Sequence, residues 1–227
     1  MTSLPRTLPA ARHAEIMSEF GPFPECANVH GVTFDGRSGW FAAGDRLQSF
    51  DPDSGQLGRS LTVPADAGTA FDGRYFYQLT ADRIQKLDPK TGEVLASIPS
   101  PGGGKDSGLA WAEGSLWVGQ YRERKIHRID PATGEILRTI ASDRFVTGVS
   151  WVDGELWHGT WEGETSELRR VDPESGKVEE RLLLPAGTGV SGLEADASGH
   201  FLCGGGASGK LRRVRRPARQ PSDEGKR

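Results

Sequence analysis

Five glycines in this chain open short alternating apolar stretches, and the residues beside them carry the groups suited to proton transfer. The dipeptides ahead of those glycines are Val29-His30, Asp66-Ala67, Asp106-Ser107, Val146-Thr147 and Val190-Ser191. An imidazole between carboxylates can move a proton between two heteroatoms, or hold a divalent ion through nitrogen and oxygen. His30, Asp66 and Asp106 are therefore candidates for acid–base work. Glu194 joins them, because it stands two residues after the fifth glycine where the other stretches carry Thr33, Ala70, Ala110 and Ser150. A carboxylate among such small neighbours needs a partner or a raised pKa. Asp66, Asp106 and Glu194 are thus the candidate catalytic carboxylates, with His30 a candidate substrate contact. Tyr121 and Trp161, at matching places in their stretches, could wall a pocket with aromatic surface, and Gln78 and Gln120 could supply hydrogen bonds there. His158 and Cys203 stand where Ala42, Tyr77 and Val118 stand elsewhere, and read as packed side chains. No cofactor is expected. A divalent ion, were one held on the axis, would take His30, Asp66, Asp106 and Glu194. No nucleophile elbow, phosphate loop, zinc spacing or Ser-His-Asp pattern occurs.

The elements that must position these groups follow from a repeat. Asp-Pro-x-[Ser/Thr]-Gly recurs at Asp51, Asp88, Asp130 and Asp172, with spacings of 37, 42 and 42 residues. That is the length of a propeller blade. Each unit runs from an opening glycine to a tight-turn signal such as Glu113-Gly114 or Asp153-Gly154. A second strand, a variable loop, a third strand, the Asp-Pro turn and a fourth strand follow. The Asp-Pro aspartates read as turn-formers rather than catalysts. The fifth unit ends after Lys210-Leu211-Arg212-Arg213-Val214 with no fourth strand. Residues 13–20, ahead of the first unit, fill the vacancy. The expected fold is all-β: a five-bladed β-propeller of four antiparallel strands per blade, its ring closed by the N-terminal strand. The expected organisation is an arm over residues 1–10, the propeller over 11–216 and a disordered tail over 217–227.

Composition agrees with that reading. There are 31 glycines in 227 residues, yet no collagen period, and six tryptophans argue against general disorder. A formal charge of −3 gives no global field for nucleic acid, and no apolar run approaches a membrane span. The expected partner is a small molecule or a peptide terminus, with neither nucleic acid nor membrane. Without a secretory signal, the chain reads as soluble and cytoplasmic. Two cysteines make no disulfide framework. Residues 210–219 carry six positive charges and read as a solvated end, with an acidic partner as the alternative.

Over residues 20–216 the blades resemble the plant- and bacterial-type glutaminyl-peptide cyclotransferases. The likeness rests on Tyr75-Phe76-Tyr77-Gln78-Leu79-Thr80, on Trp151-Val152-Asp153-Gly154-Glu155-Leu156-Trp157 with Trp161 beyond it, and on Ser191-Gly192-Leu193. The resemblance implies a five-bladed propeller that cyclises N-terminal glutamine to pyroglutamate, and marks Gln78, Thr80 and Trp161 as binding positions. It further implies an acidic residue ahead of the second opening glycine and amide or acidic residues ahead of the fourth and fifth. This chain has Ala67, Val146-Thr147 and Ser191 there. A carboxylate is also implied on the second strand of blade one, where the chain reads Trp40-Phe41-Ala42-Ala43-Gly44. Two other readings stand beside the cyclotransferase: a non-catalytic propeller that binds a ligand or protein, and a metal-dependent lactonase or lyase, since virginiamycin B lyase and gluconolactonase-like propellers are similar in outline.

Overall fold

A computed structural model of the chain describes residues 8–218, and every regular element among them is a β-strand. Blade one comprises Val32–Phe34, Gly39–Ala42, Gly44–Phe50 and Leu57–Ala65; blade two comprises Thr69–Phe71, Phe76–Thr80, Arg83–Leu87 and Val94–Pro99. Asp106–Ala112, Ser115–Gln120, Lys125–Ile129 and Ile136–Ala141 make blade three, and Val149–Val152, Glu155–Glu162, Thr165–Val171 and Val178–Leu183 make blade four. Blade five takes Gly192–Ala195, His200–Gly204 and Leu211–Arg215 from the C-terminal end, and its outer strand, Ile16–Phe20, from the N-terminal end. The five-bladed ring expected from the repeat is the fold observed.

The repeat's turn chemistry is visible in detail. Asp51 Oδ1 accepts the amides of Asp53 at 2.9 Å and Ser54 at 2.8 Å, and Asp88 repeats the pattern with Lys90 and Thr91. These carboxylates are consumed by their own turns. At the hairpin tips, Glu113 and Gly114 both take positive φ, as do Asp153 and Gly154, which is the geometry a two-residue hairpin requires.

The core is divided among the five spaces between blades. Tyr77 of blade two stacks on Trp111 of blade three at 5.4 Å, and Trp117 of blade three on Trp151 of blade four at 5.9 Å. Close to the axis the blades touch through backbone. A Cβ on Gly31 would lie 2.7 Å from Gly68 Cα, and one on Gly68 would lie 2.6 Å from the carbonyl carbon of Gly108. One on Gly108 would meet Val149 N at 2.7 Å, one on Gly148 would meet Leu193 N at 2.6 Å, and one on Gly192 would meet Val32 N at 2.6 Å. The five opening glycines thus form a closed girdle in which each admits the next blade.

Two features differ from the sequence reading. Residues 13–20 do not form one strand: Arg12–His13 pairs in parallel with the outer strand of blade four, giving that sheet a fifth strand, before the chain crosses to blade five. Arg181 of blade four donates to Pro9 O at 3.1 Å, and Arg12 pairs with Glu180, which ties this segment to an edge that would otherwise be free. The described part of the basic run, residues 210–216, is paired rather than a free solvated end, and Arg219 lies outside the described residues. Glu19 binds Lys210 and Arg212, Glu15 binds Arg215, Asp53 and Asp196 bind Arg213, and Asp153 binds Arg216. The acidic partner is the protein's own closing strand and neighbouring turns. Most of the expected arm (1–10) and tail (217–227) lies outside the described residues.

Two measurements test this architecture. Gly108→Ala forces a Cβ into blade four's backbone, and is expected to cost about 3 kcal/mol, lowering the thermal midpoint by roughly 6–12 °C. The Lys210 hydrogen bond and the charges of Lys210 and Arg212 hold the Glu19 carboxyl below its ordinary 4.5 against a smaller opposing effect of burial. Its contribution is therefore complete above pH 4.5 and vanishes as pH falls through the lower native value. Glu19→Gln should lose about 1 kcal/mol at pH 7 in urea titrations, and the gap to wild type should close in acid.

Candidate functional site

Where the chain enters the inner strands, a cleft of about 210 Å³ opens on the propeller axis. Its floor is set by register: the residue immediately before each opening glycine lines it, namely His30, Ala67, Ser107, Thr147 and Ser191. Asp66 and Val190 add to the rim, and Tyr121 and Trp161 form the walls. Four of the nine residues singled out from sequence meet here: His30, Asp66, Tyr121 and Trp161.

His30 and Asp66 come from adjacent blades. Burial pushes the His30 imidazole below its ordinary 6.5, and the Asp66 charge acts in the opposite direction. At pH 7 the ring is therefore neutral and able to accept a proton. Two of the three floor hydroxyls are committed to joining blades: Ser107 donates to Val146 O at 2.6 Å and Ser191 to Val29 O at 2.6 Å. Thr147 Oγ1, buried, has no hydrogen-bond partner among the described residues. Trp161 donates its indole N–H to Gly163 O at 3.1 Å, and its ring lies so near the backbone that a Cβ on Gly189 would meet it at 2.9 Å. Tyr121 rests on Phe145, with ring centroids 4.7 Å apart.

The other five candidates lie elsewhere. Asp106 turns back on its own loop, where Oδ2 accepts the Gly102 amide at 3.0 Å and Oδ1 accepts Gln120 Nε2 at 3.4 Å. Gln78 is fully buried behind the floor, accepting from Thr69 Oγ1 at 2.5 Å and donating to Leu79 O at 2.8 Å and Ala67 O at 3.3 Å. Thr80 ends its strand half-buried and does not line the cleft. Glu194 is two residues beyond the girdle glycine Gly192 and three beyond the floor residue Ser191, roughly 10 Å further along its strand than the floor. There it binds across two blade junctions, accepting Ser150 Oγ at 2.8 Å, its neighbour Ala195 N at 2.8 Å and Thr33 Oγ1 at 3.4 Å. Glu194 keeps a partly accessible edge, yet desolvation outweighs those hydrogen bonds and pushes its pKa up to about 7. The four candidate metal ligands therefore do not converge, and among the described residues no three His, Cys, Asp or Glu side chains gather as a metal site.

His158 and Cys203 are buried, as their columns suggested. Burial pushes the His158 imidazole down to about 4 and the Cys203 thiol up to about 12. Beside His158 runs an ion-pair chain that periodicity did not reveal. Fully buried Arg169 binds Glu167 at 2.7 Å and Asp143 at 2.5 Å, and Arg181 binds the other side of Glu167. Burial alone would raise the Glu167 pKa, but Arg181 and Arg169 hold it down at about 2. A larger hollow of about 490 Å³ lies at the rim between blades three and four, where Asp143 is already committed to Arg169. Volume alone does not select it, because the neutral base and the aromatic walls are in the axial cleft. Phe145 and Glu162, which support those walls, were also missed. They lie in segments whose length and chemistry vary between blades, so no repeat position marks them.

No family model matches the chain, and no curated protein matches it by sequence. Solved structures do. The glutaminyl cyclase of Myxococcus xanthus aligns over 91% of this chain and 97% of its own, at 17% identity and a TM-score of 0.75. The fold is shared with a glutaminyl cyclase. A chain of a mitotic checkpoint complex aligns over 96% of this one and 100% of itself at 10% identity and a TM-score of 0.58. The hydrazine synthase of Kuenenia stuttgartiensis aligns over 78% and 55%, at 17% identity and a TM-score of 0.50. At such identities the likeness is one of architecture, and the chemistry has to be argued from the cleft.

The buried carboxyl of Glu194 gives a signed test. Its native pKa lies above the ordinary 4.5, so the native state loses stability as pH rises from about 4.5 to about 7 and is level beyond. Glu194→Gln keeps the acceptor for Ser150 and offers an amide to Thr33. In chemical denaturation at pH 8 it should exceed wild type by about 1–3 kcal/mol, with the difference shrinking toward pH 4.5.

Proposed function

We propose that the axial cleft receives the amino terminus of a peptide, or a small molecule with a comparable amine, and cyclises it in the manner of a glutaminyl-peptide cyclotransferase. The observation that carries the reading is that a neutral imidazole, His30, and a carboxylate, Asp66, line one cleft together with the aromatic side chains Tyr121 and Trp161. Among the described lining residues there is neither lysine nor arginine, so the cleft favours a cationic or neutral end group over an anion. The Myxococcus xanthus glutaminyl cyclase shares this architecture.

In this reading Asp66 holds the α-ammonium as it arrives, and the aromatic faces add cation–π attraction. Once the ammonium has released one proton to solvent, its nitrogen attacks the γ-carboxamide carbon of the same residue. A carbon–nitrogen bond forms to close the five-membered ring, and the bond to the carboxamide nitrogen breaks. One proton must pass from the attacking to the leaving nitrogen, which departs as ammonia. His30 carries that proton, accepting it as base and returning it as acid. It takes over work that the resemblance would assign to acidic positions, which here hold Ala67, Thr147 and Ser191. Those replacements favour one second reading, a propeller that binds the same end group without turning it over.

Incubation with an N-terminal-glutamine peptide separates the two. Turnover should release ammonia, with kcat/KM falling below neutral pH as His30 becomes protonated. His30→Ala should lose about 100-fold in kcat, and Trp161→Ala should chiefly raise KM. Absence of ammonia together with saturable peptide binding that Trp161→Ala abolishes would leave the binding module standing.

A further inference from the structure

We propose that Glu162 is a positioning residue that sets the separation of the cleft's two aromatic walls, and thereby how tightly the cleft grips an end group. This rests on the reading of the cleft given above. The walls are held differently. Trp161 lies flat against blade five's backbone at Gly189 and Gly206, where added Cβ atoms would meet its ring at 2.9 Å and 3.4 Å, so that wall cannot retreat. Tyr121 has no such backing. Its ring leans on Phe145, and its carbonyl accepts Val146 N at 3.4 Å. The place of Tyr121 is therefore decided by the segment of residues 142–147 that leads into blade four.

Glu162, next in sequence to Trp161, fixes that segment. Its Oε1 accepts the Phe145 amide at 2.8 Å, its Oε2 accepts Arg144 at 3.0 Å, and Arg124 approaches Oε1 at 3.5 Å. Arg124 also stacks over the Phe145 ring at 4.8 Å, opposite in charge to the carboxylate and bridging it to the buttress. The carboxylate thus ties the backbone behind the movable wall to the strand that carries the fixed one. It does not itself line the cleft. Partly exposed ion pairs of this kind contribute little to global stability, so the arrangement is better explained by placement than by strength. The ends of the segment are pinned by Asp143 on buried Arg169 and by Ser107 Oγ on Val146 O at 2.6 Å, and Glu162 holds its middle at Arg144 and Phe145.

The test compares Glu162→Ala and Glu162→Gln with wild type, using steady-state turnover of an N-terminal-glutamine dipeptide. A second readout is Trp161 emission, isolated as the difference between each protein and its Trp161→Phe counterpart. Glu162→Ala should raise KM about tenfold with kcat within twofold. Trp161 should become more accessible to acrylamide as the facing wall withdraws. Glu162→Gln retains an acceptor for the Phe145 amide, and should stay within about threefold of wild type in KM. A Glu162→Ala protein with unchanged Trp161 quenching overturns the proposal, as does a fall in kcat at constant KM, or a Glu162→Gln protein as impaired as the alanine variant. If wild type releases no ammonia, the cyclotransferase reading fails by itself, and Trp161 quenching still decides the role of Glu162.

Discussion

Five strands that must share one axis have no room for side chains where they meet, and the rest of this protein is arranged around that restriction. The opening glycines are demanded less by backbone conformation than by closeness, since each faces the peptide backbone of the following blade. A ring of such contacts is cooperative in a literal geometric sense. Displacing one blade outward opens two junctions, and each junction contains its own share of the core.

The girdle also divides the axis chemically. On one side the residues immediately preceding the glycines must turn toward a common point, which brings an imidazole, three hydroxyls and a methyl into one floor. On the other side Glu194 is joined to blades four and one by hydroxyl donors and kept out of the cleft by the same backbone ring. Two groups that look equivalent when counted from a glycine thus end in separate environments. His30 is neutral because burial expels its proton, whereas Glu194 is half-protonated near neutrality because burial retains it.

The fold was legible because its signals repeat. Four Asp-Pro turns, five glycine openings and one missing strand specify a ring and its closure, and every one of those features has a local physical cause. The floor of the cleft was legible for the same reason, since position relative to the glycine is also a repeat position. What failed to show was whatever depends on a single loop. Asp106 resembles Asp66 in sequence, but a glycine run ahead of it bends back to meet its carboxylate. Gln78 lies within the second strand of blade two and Gln120 ends that of blade three, yet their amides are used inside the sheet. The parallel pair Arg12–His13 required knowing that blade four's edge was free. Phe145, Glu162 and the Arg169 chain are held together by contacts between loops of unrelated sequence, for which no periodicity exists.

Closure by Ile16–Phe20 has a consequence for the order in which the molecule can be made. Phe20 pairs with Leu211, so blade five consists of segments that flank the other four blades in sequence. A ribosome delivers Ile16–Phe20 before blades one to four and Leu211–Arg215 after them. Blades one to four can assemble as their residues emerge, but Glu15 and Glu19 must wait until all four are made before Arg215 and Arg212 appear. Contacts of such sequence separation are slow to form, and an unpaired strand edge is adhesive in the meantime. The charges at that strand serve this interval as well as the finished ring, because Glu19 within it and Glu15 just ahead of it oppose pairing with the wrong edge until the basic counterpart arrives.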